Sequence, residues 1–207
     1  AQTDSLRNLS SDAHFSISFG AGNERREVER ARRILAAAHA DLLGRLQRAS
    51  LRLSATAPFE VVIHATTADF IAATGLSGWA AGATHGRRIE LQPLKLLQKR
   101  NAMTTTLRHE LTHAVIELLS NGRAPRWLAE GLCLHISGEG RAMMQIKINQ
   151  QLSRDALERK LSQPAPVAES KELYALAYRQ VQLLIREKGE AHAWRLVAST
   201  YKQNLSG

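Results

Sequence analysis

Residues His109-Glu110-Leu111-Thr112-His113 lie inside the run Thr104 to Leu119, where Leu107, Leu111, Ala114, Val115 and Leu118 recur at three- and four-residue steps. That period predicts an amphipathic helix. Positions four apart on a helix share one face, one turn above the other. His109 and His113 can therefore aim two imidazole nitrogens at one metal ion. Glu110 stands beside the first of them, on the flank of that face, where a carboxylate can take a proton from a metal-bound water.

Chance alone puts this five-residue pattern in about 2 per cent of chains with such a composition, so the pattern needs a third ligand to carry weight. A catalytic zinc usually has three protein ligands and one open position. The candidate lies in Pro125-Arg126-Trp127-Leu128-Ala129-Glu130-Gly131. Pro125 suits the first turn of a helix, which would run to about Ile136. Asn121-Gly122 supplies a turn before it, so the two helices would pack antiparallel, with Glu130 able to face the histidines. Two rivals remain. Glu117 lies one turn beyond His113, roughly 6 Å along the axis and awkward for one tetrahedral ion. His135 is five residues past Glu130 and points away from that side of a regular helix. Cys133 shares the second helix and can approach the metal, but a small buried apolar residue is the simpler reading.

On these residues the chain resembles the gluzincin group of zinc metallopeptidases, and more narrowly the small bacterial peptidase-MA-like family. The 16 residues between His113 and Glu130 suit that smaller family. Gly78-Trp79-Ala80-Ala81-Gly82 with Arg88-Ile89-Glu90-Leu91 is similar to the edge hairpin such proteins carry before the zinc helix. Leu173-Tyr174-Ala175-Leu176-Ala177-Tyr178, leading to Glu187-Lys188-Gly189, is similar to their C-terminal helix. The likeness runs from about Phe15 to Val197, strongest at the motif.

The resemblance implies a zinc-dependent peptidase with one Zn2+ held by His109, His113 and Glu130, and Glu110 as general base. It implies that Tyr174 or Tyr178 donates to the oxyanion, and that the backbone of Gly82, Ala83 and Thr84 lines the cleft as a strand edge for an extended peptide. One position departs from the pattern. Gluzincins often carry an acidic residue shortly after the third ligand, and four residues beyond Glu130 stands Leu134. The orientation of the imidazoles is left without an obvious acidic partner.

The totals bound the rest. A chain of 207 residues with 44% hydrophobic and 23% charged residues is ordinary for a globular domain or two joined subdomains. No apolar run approaches the roughly 20 residues that span a bilayer. One cysteine excludes an internal disulfide. The start at Ala1-Gln2, without Met, is weakly consistent with an exported protein whose leader has been removed. The formal charge of +9 favours anionic partners, so weak association with anionic surfaces is expected. Arg25, Arg26, Arg30, Arg32, Arg33, Arg45 and Arg48 decorate one long helix together with Glu24, Glu27 and Glu29. That mixture reads as a solvated face before a binding patch, and no specific nucleic-acid motif accompanies it.

Along the chain, Ala1 to His14 is polar and loose at its start. Phe15 to Phe19 alternates as a half-buried strand, Glu24 to Leu53 reads as a scaffold helix, and Phe59 to His64 as a buried strand with His64 at its end. Thr66 to Ala73 reads as a capped helix closed by Thr74-Gly75. Ala80 to Thr84 and Arg87 to Leu91 pair across His85-Gly86. After the break Gly138-Glu139-Gly140, helices are expected at Met143 to Leu152, Asp155 to Leu161, Ser170 to Lys188 and Ala191 to Tyr201, with Gln163 to Pro166 extended. The fold class is α+β and zincin-like: N-terminal helices with a small mixed sheet and an edge hairpin over residues 1–137, then a helical C-terminal subdomain over 138–207. Two other functions stay open, a zinc-retaining protein of this fold that no longer cleaves, and a basic surface-binding module in which the motif is incidental.

Overall fold

A computed structural model describes residues 6–9, 13–53, 57–163 and 165–202. The chain is α+β, with a five-stranded mixed sheet and, among the described residues, nine helices. It divides into two units. One comprises residues 1–42 and 54–114, the other residues 43–53 and 115–207. The expected loose start at Ala1 to His14 and the extended segment Gln163 to Pro166 fall partly outside the described residues.

The first unit holds the sheet. Its strands β1 (Arg7–Leu9), β2 (Phe15–Phe19), β3 (Phe59–Ile63), β4 (Gly82–His85) and β5 (Arg88–Leu91) lie in the order β1-β2-β3-β5-β4. The pairs β2–β3 and β3–β5 are parallel, while the outer strands β1 and β4 run antiparallel to their neighbours. Alternation in Phe15-Ser16-Ile17-Ser18-Phe19 turns all three apolar residues inward. The crossover from β2 to β3 is helix α1 (Arg25–Arg48). Its residues Val28, Ala31, Leu35, Ala38 and Leu42 are buried and recur at steps of three and four, one stripe facing inward. His39 of α1 meets the rings of Phe15 and Phe59 edge-on, both centroids at 5.8 Å, which seats the helix on these strands. The helix ends at Arg48, short of Leu53, and Ser50 beyond it takes a left-handed backbone (φ 59°).

Helix α2 (Thr67–Thr74) starts with a complete capping box between Thr66 and Asp69 and stops at Gly75 with φ 69°. Two elements carry little sequence signal. Strand β1 has no apolar alternation, and helix α3 (Leu94–Lys99) is only six residues long. Asn23 organises the region around α3. Its Nδ2 donates to Gly20 O (3.2 Å) and His64 O (3.0 Å), and its Oδ1 accepts from Leu94 N (3.0 Å). One buried amide thereby satisfies backbone groups at the ends of two strands and the start of a helix. Helix α4 (Met103–Ser120) follows, and the division between the units falls inside α1 and α4.

The second unit is helical. It contains α5 (Arg126–Ser137), α6 (Gly140–Met144), α7 (Arg154–Leu161), α8 (Val167–Lys188) and α9 (Glu190–Lys202). The helix expected at Met143 to Leu152 does not form. α6 stops at Met144, and the segment beyond has no regular structure; its Asn149 N (2.6 Å) and Gln150 N (3.2 Å) donate to the Glu172 carboxylate on α8. A side chain satisfies the amides that a helix would have paired within itself. α8 begins at Val167, three residues before Ser170, straight after Pro166. Among the described residues no helix is long and apolar enough to cross a membrane.

Candidate metal centre

The metal-type residues of the first unit sit on α4. The Nε2 atoms of His109 and His113 lie 3.1 Å apart, with ring centroids 4.9 Å apart and the planes tilted by 56°. Two nitrogens each about 2.05 Å from a tetrahedral zinc are separated by roughly 3.3 Å. The pair is thus close to the spacing that one ion would impose, and both side chains are half-buried. Donor type and distance fit a divalent metal.

Glu110 is buried, with 8% of its surface exposed. A buried carboxylate needs a hydrogen-bond donor. Thr84 of β4 supplies it, its hydroxyl lying 2.8 Å from Glu110 Oε2 and 3.1 Å from Glu110 O. Two residues back on the same strand face is Gly82. A Cβ at that position would fall 2.7 Å from Glu110 Cγ and 3.0 Å from Oε1, so only glycine allows the strand to approach the carboxylate so closely.

β4 is an outer strand, and its register defines what it presents. Gly82 opposes Leu91, Ala83 opposes Glu90 and Thr84 opposes Ile89. Gln92 N donates to Ala81 O (3.2 Å), so the Ala81–Gln92 pair is a hydrogen-bonded one. In an antiparallel ladder such pairs alternate. Ala83 therefore turns its backbone groups to β5, while Gly82 and Thr84 turn theirs to the outer edge. The hairpin loop is Gly86-Arg87, one residue beyond the expected His85-Gly86, with Gly86 at φ 59°. Fully buried Gln92 braces the chain entering β4, its Nε2 donating to Ala80 O (3.0 Å) and Gly78 O (3.3 Å) while Thr67 Oγ1 donates to its Oε1 (2.8 Å). His64 pairs with Glu90 on neighbouring β5. Burial pushes the Glu90 carboxyl up, but hydrogen bonds from His64 and Arg88 outweigh it and leave it below its ordinary value.

The second unit carries the other expected residues. Glu130 is half-buried and Cys133 fully buried on α5. Pro125 offers no side chain to cap this helix. Glu158 of α7 does so instead, accepting from Arg126 N (3.0 Å) and Trp127 N (3.1 Å). Gly131 lets α5 close on α8, since a Cβ there would sit 2.4 Å from Val181 Cγ2 and 2.6 Å from Ala177 O. His135, a rival third ligand, has both ring nitrogens engaged, Nδ1 with Gln182 (3.0 Å) and Nε2 with Glu190 (3.4 Å). Glu117 is half-buried on the last part of α4. Tyr174 and Tyr178 are half-buried on α8, and the Tyr178 ring packs where a Cβ of residue 140 would be, 2.2 Å from its Cζ.

Thr84 as the partner of Glu110, Gln92 as the brace of β4 and Glu158 as the cap of α5 are not anticipated by the motif. For Glu158, the missing cap after Pro125 is the only hint in the sequence, and it does not name the donor's partner. Comparison with protein families, curated proteins and solved structures finds no match. The functional reading rests on the residues themselves.

Proposed function

We propose that this chain is a zinc-dependent metallopeptidase in which His109, His113 and a third donor from α5 hold one Zn2+ and Glu110 is the general base. One observation carries the proposal: two Nε2 atoms lie 3.1 Å apart on the helix that also carries Glu110, whose buried carboxylate the sheet's outer strand holds in place. Zinc, when bound, acts as a Lewis acid that makes a bound water acidic near neutral pH. Glu110 would serve as the base for the attacking water and would return the proton to the leaving amine. Thr84 occupies Oε2 and leaves the lone pairs of Oε1 for the proton. The outward backbone groups of Gly82 and Thr84 pair with an extended peptide. Tyr174 or Tyr178 donates to the oxyanion.

The third donor is Glu130 in the reading that the spacing and the resemblance support. A second reading takes Cys133, buried on the same helix α5, as the third donor in place of Glu130. A His-His-Cys set also binds zinc, and we attach it to the alternative function, a zinc-retaining protein that does not cleave. Metal analysis of the purified protein and cleavage of a peptide library, with and without chelator, test both. The proposal expects one zinc per chain and chelator-sensitive cleavage. Zinc without cleavage selects the alternative, and no bound metal ends both. Glu130→Gln and Cys133→Ser then name the ligand: zinc affinity falls at least tenfold in the variant that loses it and stays within a factor of about two in the other.

A further inference from the structure

We infer that a groove between the start of α1 and the junction of α3 with α4 binds a short polyanion carrying two or three phosphate groups. The groove encloses about 450 Å³ beside Arg26, Arg30, Arg33 and Gln98. It continues into a second hollow of about 220 Å³, where Arg30 and Gln98 are joined by Asn101 and Thr104. The inference is independent of the metal site.

The arginines of α1 divide into two sets. Arg32 is paired with Glu29 at 3.0 Å, and Arg45 with Glu190 at 2.7 Å. Arg30 and Arg33 have no ion-pair partner among the described residues. Two carboxylates also line the groove, and only the first is paired with a cation. Glu24 is bridged to Lys95 at 2.8 Å, and Glu27 accepts from Glu24 N at 3.3 Å. Three guanidinium groups outweigh the remaining charge of Glu27, so the hollow keeps a net positive charge, and guanidinium forks match phosphate oxygens in geometry.

Two further features narrow the ligand. Steps of four and three put Arg26, Arg30 and Arg33 on one helix face, spread over about 10 Å. Two or three linked phosphates engage three guanidinium groups spread over that length more fully than one phosphate does. α4 begins at Met103 beside the second hollow, after Ala102, which has no side chain to cap it. The positive end of an 18-residue helix adds to the attraction for anions. Among the described residues no aromatic side chain lines either hollow, so bases would have nothing to stack on, and this favours a free oligophosphate over a nucleic-acid strand.

Isothermal titration of the full chain with sodium tripolyphosphate tests the inference, with Arg30→Glu and Arg123→Glu as paired variants. Both residues are exposed and both changes alter the net charge equally, so general attraction and metal chelation by the probe affect them alike. The expected result is one saturable site per chain, weakened about tenfold or more by Arg30→Glu and less than about twofold by Arg123→Glu. Absence of a saturable site, or equal weakening in both variants, overturns it. So does a single-stranded oligonucleotide that binds through Arg30 where tripolyphosphate does not.

Discussion

Glu110 in the first unit and Glu190 in the second are both carboxylates drawn out of water, and they are treated in opposite ways. Glu190 is saturated. His135 Nε2 lies 3.4 Å from its Oε2, Arg45 Nη1 2.7 Å from the same atom, and Trp194 Nε1 3.1 Å from Oε1. The hydrogen bond with His135, working against burial and helped by Arg45 and Trp194, holds its carboxyl down to about 2. Glu110 is held by one neutral hydroxyl and a glycine that lets the strand come close. A carboxylate tied to a cation, an imidazole and an indole fixes helices in place. One restrained at a single oxygen keeps its other lone pairs for a proton.

The sharpest way to break this contrast is to make each residue an amide. Glu110→Gln preserves shape and the Thr84 contact but removes the proton acceptor. Zinc content should stay at the wild-type level while peptide cleavage falls by about 10²- to 10⁴-fold. A variant that cleaves at the wild-type rate removes Glu110 as the base. Glu190→Gln should leave chemistry alone and cost stability at neutral pH; a carboxyl depressed from 4.5 to about 2 corresponds to roughly 3 kcal/mol, and partial solvation of the group lowers the expected cost to about 2 kcal/mol. The sign follows from that depression. Stability from a carboxyl lowered on folding is fully present above the unfolded value and is lost as pH falls toward the folded one. The gap between wild type and Glu190→Gln should therefore close between about pH 4.5 and 2. Urea unfolding across that range, with chelator throughout so that metal release adds no pH dependence of its own, measures it. A gap that persists unchanged to pH 2 would show that the Glu190 network is not worth what its geometry suggests.

The same contrast explains what could be read in the sequence. Signals that live within one element are visible in it. The period of Leu107, Leu111, Ala114, Val115 and Leu118 announces α4, alternation in Phe15 to Phe19 announces β2, and Thr66 with Asp69 announces the start of α2. Spacing four apart suffices to bring His109 and His113 together. Partnerships between distant elements are not visible, because a lone polar residue does not name its mate. Nothing in the sequence marks Asn23 or Gln92, yet both are buried hubs, and Glu190 meets Arg45 from 145 positions away. The failed helix after Met144 is the same limitation in reverse. Its local composition allows a helix, and Glu172 on another element takes the amides instead.

The smallest expected effect probes the hydroxyl that distinguishes Glu110 from Glu190. Thr84→Val keeps the shape and β-branching that suit an outer strand but removes the donor to Glu110 Oε2. Because β4 is retained and its outward backbone groups at Gly82 and residue 84 are unchanged, substrate pairing along the edge should persist. The carboxylate loses the one contact that aims it, so the loss should appear in kcat with KM nearly constant, about tenfold for a hydroxyl bonded to a charged group. Zinc content should not change, which separates this effect from a disturbed metal site. Thr84→Ser restores the hydroxyl and should recover most of the rate. Equal loss in the serine and valine variants would mean that the side chain only packs, and that the aim of Glu110 is set by Gly82 and the helix alone.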